Sequence, residues 1–188
     1  MRSSPVVLAA VIAVGLAACG STPPPRPVAP VVPVVSTAQM AEANLSPASA
    51  SLVSGRLALV PDPRGVHITG VIGGLQPLQV AGFHVHERGD CSAVDASSAG
   101  AHFNPTGQPH GRNSAGAHHA GDMDNLRADA QGRVNVDLRL PAVTLGGGAA
   151  TDIAGRALIV HANADDYRSQ PAGNAGARIA CGVIRVVR

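Results

Sequence analysis

Hydrophobic and polar positions alternate over short distances along much of the chain. In "VNVDLRL", Val134, Val136, Leu138 and Leu140 share one side of an extended backbone and Asn135, Asp137 and Arg139 share the other. A period of two is the signature of a strand with one buried face. Short apolar or alternating segments also cover Leu52–Val60, Val66–Ile72, Val80–Glu87, Arg156–His161 and Ile179–Val187, between glycine-rich turns. None keeps an apolar 3.6-residue period over three turns. The pattern predicts an all-β fold, an antiparallel sandwich or barrel of at least these strands.

Two regions break the alternation. From Gly20 to Pro47 the sequence "GSTPPPRPVAPVVPVVSTAQMAEANLSP" is dense in proline in its first half and has no periodic apolar face. It predicts an extended, semi-rigid spacer of ~3 Å per residue. From Arg88 to Asn125 neither period is present, and Gly, Ala, Ser, Asn and His dominate. Structureless connections beyond ~12–15 residues are uncommon in compact domains and are usually functional. Something must tie this one down.

Composition narrows the picture. Hydrophobic residues are 45% of the 188, yet the aromatics are only Phe83, Phe103 and Tyr167, so the core must be aliphatic. A chain of this length fits one ordinary domain with extensions. All 14 basic residues are arginine, the formal net charge is +2, and no run of like sign occurs, which argues against a nucleic-acid surface.

At the start, Arg2 precedes an apolar run from Val6 to Ala18. The run is shorter than the ~20 residues needed to cross a bilayer and reads as an export signal. "LAAC", Leu16–Cys19, resembles a bacterial lipobox, in which Cys19 would be acylated and become the first mature residue; a plain secretory signal is the alternative. On the lipobox reading, residues 1–18 are the signal, 19–47 a lipid-attached linker and 48–188 the domain. The expected location is the periplasm or cell surface, at a membrane reached through the lipid on Cys19. Cys91 and Cys181 then remain as a pair in an oxidising compartment.

The candidate chemistry lies in the histidines. In "GFHVHERGDC", His84 and His86 project from the same face of a strand. The long loop adds His102, His110, His118, His119 and Asp122. Three imidazoles and a carboxylate suit a closed tetrahedral zinc site, and a bound ion would supply the folding energy that such a loop lacks. His161 closes the strand "GRALIVH".

The blocks "GFHVHERGDC", "AGAHFNP", "HHAGDMDNL", "GRALIVHANADD" and "NAGARIACGVI", in this order over roughly residues 50–188, resemble those of the Cu,Zn superoxide dismutases. The resemblance implies an immunoglobulin-like Greek-key antiparallel β-barrel or sandwich with long metal-binding and active-site loops. It implies copper on His84, His86, His102 and His161, and zinc on His102, His110, His119 and Asp122, with His102 bridging the two as an imidazolate. His119 is favoured over His118 because it stands three residues before the aspartate. Asp165 would accept hydrogen bonds from one copper-side and one zinc-side histidine, and Cys91 would pair with Cys181. Arg178 would guide superoxide, the implied substrate, to its disproportionation. Between His161 and Arg178 there is no lysine or glutamate, so steering would rest on Arg178, with Arg112 and Arg168 as further candidates. His67 has no evident partner and reads as a structural or surface residue. A non-catalytic periplasmic copper/zinc-binding lipoprotein is the alternative function. Whether the chain forms a homodimer is not legible in one sequence.

Overall fold

The computed structural model describes residues 35–188. The expected signal segment, Cys19 and the proline-dense part of the linker lie outside the described residues. Nine strands follow in order: β1 (Ala41–Pro47), β2 (Ser54–Asp62), β3 (Gly65–Gly73), β4 (Val80–Ala81), β5 (Phe83–His86), β6 (Leu126–Arg127), β7 (Val134–Pro141), β8 (Ala157–His161) and β9 (Arg178–Val186). Among the described residues the only helical element is a short 3-10 turn at Ser97–Ala99.

Seven strands form one antiparallel sheet in the order β5-β8-β9-β1-β2-β3-β7, and β4 pairs with β6 separately. β1 to β3 are consecutive neighbours, whereas β5 lies at the opposite edge from β7. The chain therefore crosses from one edge to the other after β3 and returns before β7, which is a Greek-key path. The sheet curls on itself: Phe83 and Val85 of β5 and Leu158 and Val160 of β8 share one core with Leu57, Leu59, Ile68, Leu140 and Ile184. Burying each such side chain stabilises the fold by roughly 1.5–3 kcal/mol.

One boundary differs from the sequence expectation. The linker was expected to extend to Pro47, but Ala41–Pro47 is a strand in the middle of the sheet, paired with both β2 and β9. Its inward residues Ala41, Ala43 and Leu45 are buried. Two of the three are alanines, which give little hydrophobic contrast, and so the period-two signal is faint. The expected strand Val80–Glu87 is divided at Gly82 into β4 and β5, which belong to different sheets.

Burial separates two kinds of strand. β7 alternates between buried valines and exposed Asn135, Asp137 and Arg139. By contrast, every residue of β5 and β8 is buried. Their inner faces meet the core, and their outer faces lie beneath the Arg88–Asn125 segment. There Ala157 and Ile159 of β8 pack with Ala96, Ala99 and Cys181. The Cys91–Cys181 disulfide joins that segment to β9 across 90 residues.

Candidate metal centre

β5 and β8 pair antiparallel, with Phe83 opposite Val160 and His84 opposite Ile159. Alternation sends Phe83 and Val85 into the core and His84 and His86 outward, and at the end of β8 it sends His161 the same way. The long loop runs back along the free edge of β5. The Phe103 N–H donates to the Val85 carbonyl at 2.8 Å, and the Val85 N–H donates to the Gly121 carbonyl at 2.9 Å. That placement brings His102 opposite His86 and Asp122 opposite His84.

Two clusters result. His84, His86, His102 and His161 form one, and His102, His110, His119 and Asp122 the other; within each, one ligand atom per residue lies within 4.8 Å of all the others, and every member is buried. His86 Nε2 is 3.3 Å from His161 Nε2. In the second cluster, Asp122 Oδ1 lies 2.9 Å from His102 Nδ1 and 3.3 Å from His119 Nδ1, and Asp122 Oδ2 lies 3.0 Å from His110 Nδ1. An ion with bonds of ~2.0–2.2 Å in tetrahedral geometry sets its ligand atoms ~3.3 Å apart, so these spacings fit.

Partners of the other ring nitrogens fix which atom each histidine presents. His84 Nε2 is 2.8 Å from Asp165 Oδ2, and His110 Nε2 is 2.9 Å from Asp165 Oδ1, so one carboxylate spans both clusters. His86 Nδ1 faces the Gly100 carbonyl at 2.9 Å, and His161 Nδ1 faces that of Gly176 at 3.3 Å. Two buried ring nitrogens have no hydrogen-bond partner: His84 Nδ1 and His102 Nε2. A buried nitrogen without a partner is costly unless something binds it. Both residues belong to the four-histidine cluster, where a bound ion would satisfy them.

The electrostatics agree with ligation. Burial, with nearby His102, lowers His86 to about 2, and burial, with nearby His84, lowers His161 to about 3; both stay neutral, the form that binds metal. Burial lowers His102 to about 4 despite its bond to Asp122. His110 goes the other way: burial opposes its charge, but bonds to Asp122 and Asp165 raise it to about 9. Burial also opposes the charge on Asp122, yet hydrogen bonds from His102, His110 and His119 hold its carboxyl far below the usual range.

Beside the four-histidine cluster a cavity is lined by Glu87, Asn104, Pro171, Ala172, Gly176 and Arg178 together with His86, His102, His119 and His161. Arg178 donates from Nη1 to the Ala96 carbonyl at 2.7 Å and from Nη2 to that of Gly100 at 2.6 Å. Of the other arginines considered for steering, Arg112 is bound to Asp124 at 3.1 Å and covers the Tyr167 ring, whereas Arg168 is exposed. His118 turns its Nδ1 to the His119 carbonyl at 2.7 Å and belongs to neither cluster. His67 lies at the surface but does have a partner, Asp137 on the neighbouring strand at 2.6 Å.

Several residues that shape the site carry no signal in the sequence. Asn125 grips the backbone of Asp165 twice, with Nδ2 to its carbonyl and Oδ1 from its N–H, both at 2.9 Å. Gly173 has a φ of 63°, and a Cβ there would collide with Asp165 Oδ1 and His110 Nε2. Arg156 lies over the Phe103 ring at 3.9 Å, next to His102, and also donates to the Glu87 carbonyl at 2.6 Å.

Fold and site together define an all-β protein that builds a paired metal centre on one outer face of its barrel. The profile of the family "Copper/zinc superoxide dismutase (SODC)" matches residues 53–184, and the chain belongs to that family. It is 46% identical over 136 residues to superoxide dismutase [Cu-Zn] 2 of Aquifex aeolicus, covering 71% of this chain and 80% of the relative. It is 37% identical over 185 residues to the superoxide dismutase-like protein YojM of Bacillus subtilis, covering 95% and 94%. Among solved structures it resembles a SOD-like protein from Bacillus subtilis, with a TM-score of 0.69 at 38% identity over 75% of this chain and 95% of the other.

Proposed function

We propose that the chain disproportionates superoxide, with copper on His84, His86, His102 and His161, zinc on His102, His110, His119 and Asp122, and the His102 ring shared between them as an imidazolate. The position of His102 carries this reading. Its Nδ1 faces the Asp122 carboxylate, its Nε2 is buried without a hydrogen-bond partner, and the residue is a member of both clusters. One ring reaches both sets of donors.

The reaction converts two superoxide anions and two protons into one dioxygen and one hydrogen peroxide. A copper ion held by these histidines would supply one-electron redox chemistry, and a zinc ion, with its single oxidation state, would not. The residues of the chain do the rest. Arg178 presents a fixed positive charge beside the cluster, where it attracts a small anion and orients it. His102 Nε2 is the atom at which a proton can be held and passed to the reduced product. Asp165 fixes the orientation of His84 and His110 through their far nitrogens, and such partners set tautomer and basicity.

The same proposal places the domain outside the cytoplasm. The Cys91–Cys181 disulfide supports this, because such bonds persist in oxidising compartments. Attachment through Cys19 rests on the lipobox-like sequence alone.

The test is reconstitution of the full chain with both metals, followed by elemental analysis and a direct assay of superoxide loss. One copper and one zinc per chain with rapid loss of superoxide is the expected result. Full occupancy without turnover would favour the alternative, a copper/zinc-binding protein that is not a catalyst.

A further inference from the structure

Tyr167 is the only tyrosine in the chain and stands just beyond the aspartate that links the two clusters. Its backbone has a φ of 61°, in the left-handed region. A bulky side chain rarely adopts that conformation, and it persists only where surrounding contacts impose it. Those contacts can be named. The Tyr167 N–H donates to Asp165 Oδ1 at 2.7 Å, the same oxygen that His110 Nε2 meets. At the other end of the residue, the phenol oxygen accepts the Asn125 N–H at 2.8 Å. Asn125 is the residue that holds the Asp165 backbone by both of its amide atoms. The Arg112 guanidinium, paired with Asp124, covers the ring at 5.1 Å from its centroid.

Resting on the metal assignment above, we propose that Tyr167 is a positioning residue that holds the Asp165 carboxylate between the two metal clusters and fastens the end of the metal loop to it. The left-handed turn is what allows one residue to do both. It aims the N–H back at Asp165 while the ring extends across to Asn125. Closure of this circuit, from Asp165 through Tyr167 and Asn125 back to Asp165, fixes the angle at which His84 and His110 present their free nitrogens.

The test uses the full chain with Co(II) at the zinc-side cluster, where its visible spectrum reports ligand geometry and a chelator reports release. Tyr167→Phe removes the hydroxyl and keeps the ring, the Arg112 contact and the backbone N–H. It is expected to speed Co(II) release by roughly fivefold, the equivalent of one net hydrogen bond, and to alter the cobalt bands. Asp165→Asn is expected to speed release further. In the double variant the hydroxyl should no longer matter, because residues that act through one network are not additive. Parent-like release and spectrum in Tyr167→Phe would overturn the proposal. So would strictly additive effects of the two substitutions, which would make Tyr167 an independent structural contact. A parent chain that failed to hold Co(II) would instead overturn the zinc-side assignment, and the proposal with it.

Discussion

The two clusters share His102 but are built from different materials. Beyond the shared ring, the donors proposed for copper stand on β5 and β8, two paired strands buried on both faces. The donors proposed for zinc come from the loop, where Asp122 Oδ2 accepts the N–H groups of His119 at 2.8 Å and Gly111 at 3.1 Å. Strand donors are positioned by the same ladder and core that fold the barrel. Loop donors are held by the Cys91–Cys181 disulfide and the backbone bonds to Val85, and beyond these by one another, so on the proposed assignment an ion would couple metal binding to loop order. On the proposed assignment the copper side is a preformed socket and the zinc side a clasp.

Removing His161 strikes the socket without touching the clasp. His161→Ala is expected to lower dismutation by at least about a hundredfold, the upper range seen when even a supporting residue of a metal site is lost. Zinc content should stay at one per chain, because His161 is not in the second cluster. Loss of both metals would show that the two sides are not separately built. Asp122→Ala makes the reverse test. It strips the carboxylate that meets His102, His110 and His119, and zinc affinity should fall by roughly a hundredfold. Amide exchange should then rise through the loop while β5 and β8 stay protected. Equal loosening of strands and loop would erase the distinction.

The same division decides what could be read from the sequence. His84 and His86 were legible because a strand with period two puts alternate residues on one face, and β5 is such a strand. The alternation in β7 likewise matched its burial, with Leu138 only partly buried. β1 was hidden because alanines fill two of its inward positions, and its role depends on β9, which is distant in sequence. Within the loop no period exists, so residue type marked His102, His110, His119 and Asp122 as donors without saying which would meet. Their division between two ions came from family resemblance. Asn125, Tyr167 and Gly173 were invisible because each acts through backbone geometry around Asp165, which only the folded chain displays.

Proton linkage sharpens the contrast further. In the metal-free chain His110, between Asp122 and Asp165, is raised to about 9, above the ~6.5 of an unperturbed histidine. Between those values the metal-free folded protein carries a proton that the zinc-bound form cannot carry on the ligating nitrogen. Zinc affinity should therefore climb by up to about tenfold per pH unit from 7 and level off near 9. On the copper side His86 and His161, at about 2 and about 3, are already neutral throughout that range and contribute no such slope. Calorimetry in buffers of different ionisation enthalpy would count the protons released by each metal. Copper uptake by the zinc-loaded chain should release only the one proton that His102 loses on becoming an imidazolate, and any further release would contradict the preformed socket.

Arg178 offers the smallest effect and the finest test, because its charge and its anchoring can be varied separately. Its two amino groups hold the carbonyls of Ala96 and Gly100, and the Gly100 carbonyl also meets His86 Nδ1. The guidanceless variant Arg178→Ala loses charge and anchors together and should slow superoxide loss by about tenfold, with a flatter dependence on ionic strength. Arg178→Lys keeps the charge but cannot hold two carbonyls as a fork. If attraction alone matters, lysine restores both rate and salt dependence. If the fork also holds Gly100 against His86, lysine restores the salt dependence while the rate stays low, and the copper spectrum shifts with it. The second outcome is expected, since both carbonyl contacts are short and one of them is shared with a ligand. A lysine variant indistinguishable from the parent in rate and spectrum would reduce Arg178 to its charge and leave the copper side anchored by its strands alone.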